Sequence, residues 1–337
     1  MSESYSRRWE GEGRKRRREG KAEPEKPPDY YGMPAIHGSH WNWLVVWYFF
    51  LGGISAASHV IATIAGRAGG RENKIIERTG RYVSILAFLP CPLLLVFDLG
   101  RPERFVNMLR VVKLRSPMSL GSWGLSSFGA FTVLAAMLQA ARDGLFGRSR
   151  AAAFIGQIPT APPAVAGSAP ALFVGGYTGV LLGATAVPLW GKNALLLGPL
   201  FLNSAFSTAV ATINLGIALQ GKPAAEAAEA LEAFDRVLIT TELALLAASR
   251  ANLGELATPI TTGRTGALLT YGTIGAGLIA PLAIQTINRR RRSRFLSVLA
   301  SVLVLCGGFI LRYTMIAGGH ESANDPQATF TYTRKRK

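Results

Sequence analysis

Only two cysteines and four histidines occur in the 337 residues. Cys91 and Cys306 both lie inside apolar runs. They are too few for a disulfide framework and fall short of an iron–sulfur or zinc ligand set. Of His37, His40, His59 and His320, only His59 sits well within such a run. A membrane b-type haem usually requires a pair of embedded histidines. The chain is therefore expected to carry no haem and no iron–sulfur cluster of its own. Acidic residues are also scarce, 20 Asp+Glu against 37 Lys+Arg, for a formal net charge of +17. An even spread of polar residues, as in a soluble domain, is missing too. Mean hydropathy is +0.24, and the charges collect in a tail and in short stretches between long apolar runs.

Residues 1–40 are polar and basic, with Arg7, Arg8, Arg14, Lys15, Arg16, Arg17, Arg18, Lys21 and Lys26. Nothing there can bury a core, so the segment reads as a disordered tail. With a membrane body behind it, such a tail suits lipid headgroups or a partner rather than nucleic acid. Ser6-Arg7-Arg8 resembles the start of a twin-arginine signal, but 10–25 is mostly charged where an apolar run should follow. A cleaved signal peptide is not expected.

From residue 41 onward the apolar residues fall in runs of about 20, enough to cross a bilayer as helices. Eight spans are predicted: Trp43–Ala65, Tyr82–Phe97, Ser119–Ala141, Ala171–Trp190, Ala194–Leu219, Val237–Ala248, Ala267–Thr286 and Phe295–Ala317. Asp235 and Glu242 interrupt the sixth, which reads as an amphipathic helix starting near Ala227. The runs are continuous, not alternating, which excludes a barrel. The expected class is all-α, a polytopic eight-helix bundle over 41–318, with a polar tail over 319–337. The Ala/Pro/Gly-rich connector 142–170 reads as a flexible loop. Short-loop Lys and Arg favour the side holding 67–81, 142–170, 220–236 and 287–294 as cytoplasmic. Both termini then lie outside, together with the 98–118 loop.

Polar groups at membrane depth are costly and mark function or packing. Glu242 in the sixth span and Arg312 in the eighth are the leading candidates, either as a proton relay or as a structural ion pair. Asn203, Ser204, Ser207 and Asn214 recur at helical spacing along the fifth span and read mainly as interhelical hydrogen bonds. The many glycines, such as Gly307-Gly308, read as close-packing positions.

Two segments carry a family resemblance: Asp98-Leu-Gly-Arg-Pro-Glu-Arg-Phe105, and Ser116-Pro-Met-Ser-Leu-Gly-Ser-Trp123. They are joined in order by Trp41-Asn-Trp43 with Phe50-Leu-Gly-Gly53, by Tyr177-Thr-Gly-Val-Leu-Leu-Gly183 with Pro188-Leu-Trp190, and by Gly307-Gly-Phe-Ile-Leu-Arg312-Tyr313. Over about residues 41–318 the chain resembles the NrfD / polysulfide reductase membrane-anchor family. The resemblance implies an eight-helix integral subunit of a prokaryotic cytoplasmic-membrane redox complex, without a cofactor of its own. Such a subunit exchanges electrons between the quinone pool, menaquinone included, and a docked four-cluster ferredoxin-like iron–sulfur subunit. That subunit serves a molybdopterin catalytic subunit.

The resemblance also places the quinone among the first four helices, with Tyr177 in the pocket and Asp98 at the end of the second helix. Where one branch of the family has a quinone-contacting histidine, the register here gives Tyr48. A tyrosine donates a hydrogen bond but does not accept a proton near neutral pH. Leu120 replaces an aromatic residue expected before Gly121. Quinol oxidation releases two protons, so a site needs donors to the carbonyl oxygens and a carboxylate leading to water. Tyr177, Tyr48 or Asn42 supply donors, Asp98 relays a proton, and Trp123 walls the ring. Arg101, Glu103 and Arg104 offer a docking surface for the partner. One tension remains. Counting spans puts Tyr177 near the face opposite the 98–118 loop, whereas the resemblance puts it beside that loop. A proton-coupled secondary transporter and a purely structural anchor are the competing classes.

Overall fold

The computed structural model describes residues 41–334 except 101, 102, 104, 114, 148, 149 and 221–224, with backbone alone at 151, 152, 225 and 334. The basic tail over 1–40 lies outside the described residues, as do Arg101 and Arg104. The described elements are helical. The long ones are α1 (Trp43–Ala68), α2 (Arg71–Asp98), α3 (Pro117–Arg142), α4 (Ala161–Gly183), α5 (Ala194–Ala218), α6 (Ala225–Leu253), α7 (Gly263–Arg291) and α8 (Arg294–Ala323).

Seven of these, all but α6, are long and apolar enough to cross a membrane. The chain is an integral multi-pass membrane protein. On that measure the expected count of eight is one too many, and the reason is chemical. α6 has 29 residues, but Glu226, Glu229, Glu232, Asp235, Arg236 and Glu242 interrupt its apolar character. It nevertheless runs beside α5 from end to end. Asn193 bonds Ser249, Asn203 bonds the Leu238 carbonyl and Ser207 bonds Asp235, an antiparallel register from the start of α5 past its middle. A crossing by α6 therefore rests on packing, not on apolarity. Reporters fused after Gln220 and after Leu253 are expected to report opposite compartments. The same compartment at both sites would leave α6 on one surface.

Chain direction sorts the helix ends into two faces. The near face holds the start of α1, the end of α2, the start of α3 and the ends of α4, α6 and α8. The far face holds the turns α1–α2 and α7–α8 and the α3–α4 connection. The far-face turns are tight. Gly69 and Gly70 take φ of 69° and 89°, open to glycine without strain. Arg292, at φ 49°, closes the α7–α8 turn.

α4 starts ten positions before the expected Ala171, and this corrects the reading of 142–170 as a loop. Pro162 and Pro163 stand in its first turn, where a missing N–H costs nothing. An additional helix, Arg150–Gln157, occupies the rest of that connector. The end of the expected fourth span, Pro188–Lys192, is a separate short helix on the near face.

α1 is the central helix, packed by α2, α4, α5 and α8. His59 in its middle bonds Thr132 Oγ1 and the Ala164 carbonyl, both at 3.0 Å, so its ring ties α1 to α3 and α4. α7 contains a π-helical stretch, Leu268–Ile279. There Gly277 lies against Gly307 so closely that an added Cβ would stand 2.4 Å from the Gly307 Cα. Small residues permit this backbone approach.

Candidate functional site

Beneath the near face, the first four helices enclose a cavity of about 140 Å³. Trp41, just before α1, joins Val45, Tyr48 and Phe49 of α1, and α2 contributes Phe88, Pro92, Leu95 and Asp98. α3 brings Gly121, Ser122 and Leu125, and α4 brings Tyr177 and Leu181. Phe105 and Met108, from the short helix Phe105–Arg110, roof it. The lining is mostly apolar with a few polar groups, the usual make-up of a small-molecule site.

Local sequence explains the placement. Pro90 and Pro92 give the last part of α2 its own start, and Asp98 ends it at the near face. Pro117 starts α3, capped by Ser116 Oγ, which accepts from the Ser119 N–H at 3.4 Å. Gly121 on the next turn leaves room for a ring. A Cβ there would meet Tyr177 Cε1 at 2.6 Å. Gly124 does the same for Phe173, which stacks on Tyr177 with centroids 5.0 Å apart. Gly121→Ala is expected to displace the Tyr177 ring and shrink the cavity. Unchanged affinity for a quinone analogue would show that the ring is free to move.

The early start of α4 removes the tension over Tyr177. The residue lies in the last third of α4, close to the near face and to the 98–118 segment, not in the first half of its span. Its hydroxyl donates to the Pro117 carbonyl, at the start of α3. Tyr48 is buried and lines the cavity. Asp98 Oδ1 is buried and without a partner among the described residues.

Tyr48, Asp98 and Tyr177 are thus brought together, but other sequence candidates are not. The Asn42 side chain is exposed, and its carbonyl caps α1 by accepting from Val45 and Val46. Trp123 is 38% exposed and does not line the cavity. Glu103 is exposed, just before the roofing helix. Glu242 and Arg312 lie away from the cavity, on α6 and α8. Among the described residues no three His, Cys, Asp or Glu side chains converge as a metal site. Sequence reasoning missed Ser122 and Ser126, which share one face of α3 with Leu125 and line the cavity. Their i, i+4 spacing beside Gly121 was the available signal.

The decisive observation is the extent of the match to known proteins. A family model described as Polysulphide reductase, NrfD matches residues 35–322. The chain belongs to the NrfD family. The C subunit of polysulfide reductase from Wolinella succinogenes is 29% identical over 303 residues, covering 83% of this chain and 94% of that protein. The NrfD homolog of Haemophilus influenzae is 26% identical over 303 residues, and NrfD of Escherichia coli 27% over 301. They cover 83% and 82% of this chain, and 94% and 92% of the respective relatives. The match takes in the cavity and all eight long helices, so the cavity belongs to the NrfD-like body. As a family member the chain is a membrane-anchor subunit of a redox complex.

Proposed function

We propose that this NrfD-family chain exchanges electrons between the quinone pool of a prokaryotic cytoplasmic membrane and a docked iron–sulfur subunit of a molybdopterin-type oxidoreductase. One observation carries the reading. The near-face cavity gathers two tyrosines and a carboxylate whose Oδ1 is buried and unpartnered among the described residues. A buried acceptor without a partner calls for an explanation, and a ligand or water bearing a proton is the simplest. The walls fit a flat ring. Trp41, Phe49, Phe88 and Phe105 line the space, and aromatic faces take such a ring by offset or edge contact.

A bound quinone supplies two-electron, two-proton redox chemistry. The chain's own residues then have separable tasks. Tyr48 offers a donor hydroxyl from the wall of α1. Tyr177 donates to Pro117 and lines the cavity. A rotation of that hydroxyl redirects the proton toward a ligand oxygen. Asp98 stands where α2 reaches the near surface and takes or returns a proton between cavity and water. This reading assigns the docking surface for the iron–sulfur partner to the segment that follows Asp98 in sequence, with Arg101, Glu103 and Arg104. The basic tail over 1–40 meets lipid headgroups or that partner.

Tyr177→Phe tests the reading. Loss of one hydrogen bond costs about 0.5–1.5 kcal/mol, so quinol turnover by the assembled complex is expected to fall about two- to tenfold. The complex should still assemble. Unchanged turnover together with unchanged inhibition by quinone analogues would make the chain a structural anchor at this cavity.

A further inference from the structure

On the far face, the ends of α5, α6, α7 and α8 enclose a second, larger basin of about 390 Å³. That size falls among small-molecule sites, which run from about 300 to 1,000 Å³. Charges of both signs line it. Glu226 and Glu229 come from α6, Arg289 from α7, Arg292 from the turn and Arg294 from α8.

Part of the wall is already fixed. Glu232 takes the Asn288 amide at 3.3 Å, and Asn288 Oδ1 takes the Ser293 N–H at 2.7 Å. Arg292 pairs with Glu229 at 3.0 Å, and Arg294 bonds the Ala218 carbonyl at 2.8 Å. These contacts tie the α7–α8 turn to α5 and α6. They leave Glu226 and Arg289, both exposed, without an ion pair among the described residues. Arg312 differs, its guanidinium being spent inside the bundle on the Gly308 and Phe49 carbonyls at 2.7 and 3.3 Å.

One buried atom points to a ligand. Asn214, 4% exposed, lines the basin with its Oδ1 unpartnered among the described residues. A carbonyl oxygen only accepts, so it calls for an N–H or O–H donor. The first turn of α8 lines the basin too, with Arg294 and Ser297. α8 has 30 residues, and the start of a long helix favours an anion. A donor cation beside Asn214 and the free glutamate, and an anion beside the arginines, together describe a zwitterion. A headgroup with a negative charge alone would meet Glu226 and Glu229, and a cation alone would meet three arginines.

The surroundings favour a lipid over a water-soluble molecule. Leu219 and Phe295 follow the lining residues Ala218 and Arg294 and are 90% and 73% exposed. Large apolar side chains left open at helix ends suit the bilayer surface, and charged pockets between membrane helices take lipid headgroups.

We propose that the basin binds the headgroup of a phosphoethanolamine lipid. The primary ammonium donates to Asn214 Oδ1 and to the Glu226 carboxylate. The phosphodiester lies against Arg289 and the first turn of α8, and the acyl chains run out past Leu219 and Phe295. No bond is made or broken. The site does not depend on quinone binding in the near-face cavity.

The test is native mass spectrometry of the full chain in mild detergent, titrated with phosphatidylethanolamine, phosphatidylcholine or phosphatidylglycerol of identical chains. Phosphatidylethanolamine is expected to bind at least about tenfold more tightly than either, because choline has no N–H to donate and glycerol no charge, and a charge-assisted hydrogen bond is lost in both cases. In Glu226→Gln, an exposed change that should not disturb folding, the preference over phosphatidylcholine should drop below about threefold. Arg289→Gln should weaken phosphatidylethanolamine and phosphatidylcholine alike and leave their ratio in place. The site is overturned if phosphatidylcholine or phosphatidylglycerol binds as tightly as phosphatidylethanolamine in the parent, or if Glu226→Gln keeps the full preference. Soluble glycerophosphoethanolamine binding as tightly as the lipid would overturn the assignment to the membrane.

Discussion

Asp98→Asn is expected to lower quinol turnover by the assembled complex about a hundredfold, at the low end of the range for a positioned general base. Asparagine has nearly the same shape, so the end of α2 should stay in place. What it lacks is a site that accepts a proton. Among the described residues Asp98 is the only carboxylate lining the cavity, and its Oδ1 has no competing hydrogen bond. The two tyrosines beside it cannot substitute, since a phenol does not accept a proton near neutral pH. Steady-state turnover in membranes, paired with titration of a quinone-analogue inhibitor, separates the two effects. Turnover should collapse while inhibitor affinity changes by less than about threefold, since only one polar contact is altered. Turnover within twofold of the parent would remove Asp98 from the proton path and leave it as a cap on α2.

The second large effect concerns stability. Arg312→Met should destabilise the isolated chain by about 3 kcal/mol or more, because removing one member of a buried charge set strands the other. The stranded group is Glu242, buried on α6. The two side chains do not form a direct ion pair, since no carboxylate lies within 4.0 Å of the guanidinium among the described residues. Ser204 accepts from Arg312 Nη1 at 3.1 Å and stands beside Glu242. Coupling through a shared partner should still be visible in a double-mutant cycle. Adding Glu242→Gln to Arg312→Met is expected to restore at least half of the lost stability, read as thermal unfolding in detergent. Equal losses in the single and double variants would mean that Arg312 acts through its carbonyl contacts, not through charge.

Much of this molecule is legible in sequence because lipid imposes simple rules. The runs that form α1, α3, α5, α7 and α8 are predominantly apolar, and each is found where expected within a few residues. The start of α4 is hidden because Ala161-Pro-Pro-Ala looks like a loop. Composition cannot distinguish prolines in a first helical turn from prolines in a linker. α6 reads too short for the opposite reason. Its acids lower the hydropathy, although the buried ones are satisfied by side chains on α5 and α7 that sequence spacing cannot pair. The cavity is partly readable. Tyr177, Tyr48 and Asp98 follow from motif register. The exclusion of Asn42 and Trp123 depends on helix rotation, to which hydropathy is blind. The far-face basin leaves no local signature, because it forms only where four helix ends meet.

The contact between Trp41 and Trp190 has a practical consequence. Their rings stack with centroids 5.2 Å apart. Trp41 lines the near-face cavity, and Trp190 is held rigidly inside by its indole N–H on the Met315 carbonyl at 2.8 Å. An electron-poor ring arriving in the cavity would sit beside an excited indole whose surroundings are otherwise fixed, and would quench its emission. The chain therefore carries its own optical gauge of occupancy. Of its six tryptophans, Trp41 should account for most of the ligand-dependent change, and Trp41→Phe should silence the response without dimming the rest.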